Sequence, residues 1–100
     1  MKKQDLTITP ERIEKYAAHL REQERSAATV EKYVHDLTAL SVFLAGRPIS
    51  KGLLLEWKED MIGQYAPASV NTKLAAVNRF LTFCGLNDLR LRKLKIQKAL

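Results

Sequence analysis

The stretch SVNTKLAAVNRFLTFCG, residues 69–85, carries the clearest helical pattern in the chain. Apolar residues recur in it every three or four positions, as they do on the buried face of an amphipathic helix. Gly85 supplies the left-handed residue at which helices commonly end, and Leu86 is placed to pack back on Leu81. The stretch therefore predicts a helix whose inner face is formed by Val70, Leu74, Val77, Leu81 and Cys84.

Three further helical segments precede this one, and no segment alternates as a strand does. The first is predicted to begin after the N-cap Thr9. The second should begin near Ser26 and end at Gly46, and the third should begin after Ser50 and end at Gly63. The fourth, described above, starts between residues 67 and 69. The sequence thus predicts an all-α fold of four or five helices.

Charge is distributed unevenly along the 100 residues, whose net charge is +6. Residues 1–85 hold 12 Lys/Arg and 10 Asp/Glu, whereas residues 86–100 hold five Lys/Arg and one Asp. The C-terminal part is therefore a basic arm on a nearly neutral body. A basic chain favours polyanions as partners, although many small domains are basic without binding one.

The sequence contains no pattern typical of a catalytic centre, a metal site or a membrane span. A single cysteine excludes an internal disulfide and a multi-thiolate zinc site. No apolar run approaches the ~20 residues that cross a bilayer, and the N-terminus lacks a secretory signal. Glycine-rich phosphate loops and nucleophile elbows are also missing from the sequence. We therefore expect no catalytic residue, metal or cofactor, and a cytoplasmic location.

Residues 61–87 contain no Asp or Glu, although the chain has 11 of them. With the apolar stripe inside, a rotation of 100° per residue places Thr72 and Arg79 nearly opposite it. A carboxylate on that face would repel phosphates, whereas amides and hydroxyls can donate to them and cations release counterions. The segment predicts a nucleic-acid surface, with an ordinary solvated face as the alternative. Its polar side should carry Asn71, Thr72, Lys73, Asn78 and Arg79, flanked by Ser69 and by Ala68, Ala75 and Ala76.

The second helix offers a similar but weaker outward face. Ser26 and Thr29 lie at its N-terminus, where backbone amides can receive a phosphate. Lys32 adds a cation to the same side. Glu31 and Asp36 lie nearby, which makes the solvated-face alternative stronger for this helix.

Two motifs resemble the signature helices of the core-binding domain of phage integrases, the tyrosine site-specific recombinases. They are SAATVEKYVHDLTALSVFLAG, residues 26–46, and the opening stretch, residues 69–85. Each has a hydroxyl residue followed by valine, which are Thr29-Val30 and Ser69-Val70, and Tyr33 follows Thr29 by four residues. The first motif closes on Phe43-Leu44 and the second on Phe80 to Phe83. The resemblance covers roughly residues 8–86.

That resemblance implies a SAM-like bundle arranged as two crossed hairpins, which clamps duplex DNA at a recombination site. Residues 1–7 would be a flexible N-terminus, 8–86 the DNA-binding domain, and 87–100 a basic linker toward a catalytic domain. This chain alone would then lack strand-transfer activity. Its expected partners are duplex DNA, that catalytic domain and other recombinase protomers, in a bacterial or phage-derived system.

The resemblance also carries over a set of DNA-facing residues. Alanines stand where some members of the family have longer polar groups, so we expect mostly phosphate contacts. The alternatives are a helical protein-interaction module using the apolar face of LLLEWKEDMI (residues 53–62), a helix-turn-helix regulator, and an enzyme acting alone. The predicted DNA-binding residues are Arg25, Ser26, Thr29, Lys32, Ser69, Asn71, Thr72, Lys73 and Arg79.

Overall fold

The computed structural model describes residues 6–96, and the prediction of an all-α fold is confirmed. Within those residues the chain forms no strand, and no helix is long and apolar enough to cross a membrane. Two compact units divide after Ser50. Their elements are α1 (Pro10–Glu22), α2 (Ala27–Leu44), α3 (Lys51–Ile62), α4 (Pro67–Phe83) and a 3-10 turn (Asn87–Leu89).

In the first unit α1 packs on α2, and both helices begin at the predicted caps. The Thr9 hydroxyl accepts the Arg12 N–H at 3.2 Å, which satisfies one of the free amides of the first turn. Ser26 caps α2 in the same way. The buried apolar residues of this unit are Ile8, Ile13, Tyr16, Ala17, Leu20, Val30, Leu37, Leu40, Leu44 and Ile49.

In the second unit α3 packs on α4, and the predicted helix ends are confirmed. α3 stops immediately before Gly63, and α4 ends in a Schellman motif. Gly85 takes a φ of +77° there, and the Leu86 N–H donates to the Leu81 carbonyl at 2.8 Å. The buried apolar residues are Leu54, Trp57, Met61, Val70, Leu74, Ala76, Val77, Phe80, Leu81 and Leu91.

Three predictions for α4 were wrong. Asn78 and Ala76 were expected on the outer face, but they are only 7% and 0% exposed. Cys84 was expected in the core and is half-buried at the C-cap. The buried residues of α4 span about 200° of the helix circumference at 100° per residue, so the solvent-facing stripe is narrower than an evenly divided helix would have.

The basic arm also contributes to the core. Leu91 is 4% exposed and Leu94 is half-buried, so the arm lies on the second unit as far as these residues. Residues 1–5 and 97–100, which include most of the predicted flexible N-terminus and the end of the predicted linker, lie outside the described residues. That residues 87–100 lead to a catalytic domain stays a prediction.

Candidate nucleic-acid interface

The outer stripe of α4 carries a hydroxyl and a cation that the helical pattern placed opposite the apolar face. Thr72 and Arg79 are both exposed, as the pattern predicted, and Ala75 lies between them on the same stripe. The Thr72 hydroxyl donates to the Ala68 carbonyl one turn earlier at 3.1 Å. Within residues 6–96 the Arg79 guanidinium makes no ion pair or hydrogen bond, so its five donors face solvent.

The flank of α4 beside this stripe binds the basic arm. Asn78 receives the Leu91 N–H at 2.7 Å and donates to the Leu91 carbonyl at 2.8 Å. Asn71 does the same with Leu94, at 2.6 and 2.9 Å. Each amide therefore satisfies both main-chain groups of one residue, and the predicted DNA contact Asn71 is already hydrogen-bonded.

Two lysines of α3 also hold this segment. Lys51 Nζ donates to the Arg90 carbonyl at 2.5 Å, and Lys58 Nζ donates to the Arg92 carbonyl at 2.6 Å. We call Lys51, Lys58, Asn71 and Asn78 the clamp, and residues 90–94 the strap. All six bonds go to the strap's main chain, so its own charged side chains stay exposed.

The two remaining candidates on α4 differ in exposure and in the contacts that their side chains already make. Ser69 is exposed near the start of the helix, whose N-cap Ala66 provides no side-chain cap. Lys73 is half-buried, and its Nζ lies 5.0 Å from the centroid of the Tyr65 ring. That geometry is a cation–π contact, which occupies the ammonium group.

The α2 candidates are engaged with one another. The Ser26 hydroxyl accepts the Thr29 N–H at 3.1 Å and donates to the Thr29 hydroxyl at 2.9 Å. A phosphate at this N-terminus would have to replace the cap. Lys32 Nζ lies 3.9 Å from a carboxylate oxygen of Asp36, which is only 1% exposed. Arg25 is half-buried at the turn before α2.

The structure thus brings Thr72 and Arg79 together on one exposed stripe, with Ser69 nearby. Arg25, Ser26, Thr29 and Lys32 belong to the other unit, and a surface shared by α2 and α4 stays a prediction. Sequence reasoning missed the clamp, although a signal was present. Asn71 and Asn78 are seven residues apart, as are Lys51 and Lys58, and Leu91 and Leu94 interrupt the basic arm.

Residues 6–96 contain no group of three or more His, Cys, Asp or Glu side chains that could hold a metal ion. Trp57 is buried, and the Tyr16 ring stacks on the Tyr33 ring with centroids 6.5 Å apart, so these aromatic residues pack within their own units.

Comparison with known families supports the resemblance read from the two motifs. Residues 13–85 match the family described as phage integrase, N-terminal SAM-like domain. Because the match covers well over half of the chain, the protein belongs to this family. Comparisons with curated proteins and with solved structures gave no match.

Proposed function

We propose that this chain is the DNA-binding core-binding domain of a tyrosine recombinase, which clamps duplex DNA at a recombination site. The family gives a role related to recombination. The observation that carries the DNA proposal is the exposed Arg79 on a helix without a single carboxylate. A phosphate approaching this stripe meets no buried or exposed acid on α4 itself.

The proposed contacts are mainly electrostatic. Arg79 would neutralise a phosphate and release counterions, while the Ser69 hydroxyl would donate to a neighbouring phosphate oxygen. The Thr72 hydroxyl would donate to a phosphate oxygen in place of the Ala68 carbonyl. The short side chains of Ala68 and Ala75 leave room for the helix backbone to approach the duplex. Few cationic contacts to phosphate imply that the isolated domain binds with roughly micromolar affinity or weaker. Sequence preference would then come from DNA shape and from other protomers.

The α2 residues would contribute less. Ser26 and Thr29 already satisfy the first turn of α2, and the Asp36 carboxylate weakens the field of Lys32. Arg25, at the turn before α2, would reach a phosphate with less rearrangement. We therefore rank α4 as the main contact and α2 as a supporting one.

The deciding experiment reverses the charge of Arg79. Binding of Arg79→Glu to a labelled 20-base-pair duplex would be measured by fluorescence anisotropy at low salt. We expect at least a tenfold loss of affinity, because an attractive contact becomes a repulsive one. Circular dichroism should be unchanged, since the side chain is exposed.

Arg12→Glu is the matched control, because it makes the same charge change on an exposed residue of α1. It should weaken binding by no more than about twofold, the effect of overall charge alone. Equal losses in both variants would mean that binding depends on net charge, and the α4 interface would be rejected.

The partner domains are part of the same proposal. A catalytic domain following the basic arm would supply strand cleavage, and this domain would hold one side of the duplex. The coding sequence downstream of residue 100 tests this directly. A downstream segment with no resemblance to a recombinase catalytic domain would argue against it.

A protein-binding role is the second candidate, favoured by one observation. Leu55 and Ile62 lie seven residues apart on α3 and are 45% and 40% exposed. Amide chemical shifts recorded during a duplex titration would separate the two roles. Shifts centred on residues 67–83 support DNA binding, whereas shifts confined to residues 51–62 would favour a contact through α3.

A further inference from the structure

We infer that the strap forms a second row of nucleic-acid contacts, parallel to the Thr72–Arg79 stripe, and that the clamp orders it before DNA binds. Asn71 and Asn78 are then positioning residues rather than DNA ligands. The inference rests on the proposed function, since it assigns further cations to the same surface. Its basis is the register, the direction and the exposure of the strap.

The register of the clamp matches an extended chain. Asn71 and Asn78 are seven residues apart, which corresponds to about 10.5 Å along a helix. Leu91 and Leu94 are three residues apart, which corresponds to about 9–10 Å in an extended chain. Both residues turn their main-chain groups toward α4, and a spacing of three residues is the one that a polyproline II-like segment would give.

The direction of the strap follows from the same bonds. Asn78 binds Leu91 and Asn71 binds Leu94, so the strap runs antiparallel to α4. Thr72 and Arg79 each follow a clamp asparagine by one residue, or 100° around the helix. The strap and the Thr72–Arg79 stripe are therefore two parallel lines on neighbouring flanks of one helix.

The exposed side of the strap is cationic. Leu91 is buried and Leu94 is half-buried against the second unit, whereas Arg92 and Lys93 between them are exposed. The clamp holds only main-chain atoms, so these side chains remain available to phosphates. Lys51 and Lys58 place two more positive charges against the strap. Ordering these cations before binding lowers the entropic cost of each phosphate contact.

Amide hydrogen exchange in the full 100-residue chain tests the inference. The Leu91 and Leu94 amides report strap docking, because they donate to the clamp asparagines. If duplex DNA binds the docked strap, it stabilises docking, and a saturating 20-base-pair duplex at low salt should slow both exchange rates at least tenfold. Unchanged or faster exchange in the presence of bound duplex would overturn the inference.

Asn78→Ala gives a second, independent test. Asn78 is buried, so its side chain cannot reach DNA, and the substitution leaves every charge in place. We expect a three- to tenfold loss of affinity from the undocked strap, while Gln64→Ala, which removes an exposed amide from the same unit, should change nothing. An Asn78→Ala variant that folds and binds as wild type would contradict the inference. If it does not fold, the exchange measurement on wild type still decides.

The salt dependence of duplex affinity distinguishes a strap that contacts DNA from one that is purely structural, because only contacts to phosphate change it. Combining Arg92→Gln with Lys93→Gln should reduce the slope of log affinity against log salt by about 1.8, because two phosphates are no longer neutralised. An unchanged slope would overturn the inference and leave the α4 contact standing. Absence of any duplex-induced shift on α4 would instead reject the proposed function, and the inference with it.

Discussion

At the scale of single residues, Glu24 adopts a conformation that glycine normally takes. Its φ is +60°, and it ends α1 through a Schellman motif in which the Arg25 N–H donates to the Leu20 carbonyl at 3.2 Å. A residue with a Cβ loses about 1–2 kcal/mol of stability when it adopts the left-handed conformation. Glycine avoids this cost, but its unfolded chain has more conformational freedom, which offsets part of the gain. We expect Glu24→Gly to raise the free energy of unfolding by about 0.5–1 kcal/mol, measured by urea denaturation.

Glu22→Gly is the control for that prediction. It removes the same charge two residues earlier, at the last position of α1. There glycine should be neutral or destabilising, by up to about 1 kcal/mol. If Glu24→Gly destabilised the protein as well, the strain assigned to Glu24 would be wrong.

The two clamp asparagines should contribute unequally to stability. Asn78→Ala leaves the Leu91 N–H and carbonyl without a partner in a buried position, which costs about 2–3 kcal/mol. Asn71→Ala exposes the corresponding groups of Leu94 where water can replace the amide, so we expect about 1 kcal/mol. Urea denaturation of the two variants compares them, and equal losses would mean that burial does not set the difference.

At the scale of the helices, two glycines make opposite predictions. Gly85 has a φ of +77° and no atom within 4 Å of an added Cβ, so Gly85→Ala meets backbone strain alone and should cost about 1 kcal/mol. Gly52 lies in the first turn of α3, also with open space around it. Gly52→Ala should stabilise by about 0.5 kcal/mol, because alanine loses less backbone entropy in a helix. Thermal denaturation should shift the two midpoints in opposite directions.

The helices were predictable because their signals are local. Thr9 and Ser26 cap the turns that follow them, and Gly63 and Gly85 end α3 and α4. The strap was not predictable as an element, since it has neither helical nor strand periodicity. Its structure depends on side chains from α3 and α4, of which the most distant, Lys51, precedes Arg90 by 39 residues.

At the scale of the whole molecule, binding should depend steeply on salt. If about four cations, including Arg79, Arg92 and Lys93, each neutralise one phosphate, affinity should fall roughly 100-fold between 50 and 200 mM salt. Anisotropy titrations at four salt concentrations would measure this. An affinity that barely changes with salt would instead indicate an apolar binding interface. The exposed Leu55 and Ile62 of α3 could form such an interface.

The sequence by itself determined the helices and the exposed Arg79, because caps, glycine stops and a 3.6-residue period act within a few neighbouring residues. It also contained the family resemblance, which the match over residues 13–85 supports. Only the tertiary structure determined that Asn78 is buried rather than exposed. Sequence spacing placed it beside Arg79 on the polar side, yet its amide is buried against Leu91. A polar side chain near the edge of the apolar face of a helix can either face water or pair with another segment of the chain. For Asn78 the outcome depends on the main chain of Leu91, which lies 13 residues away in the sequence.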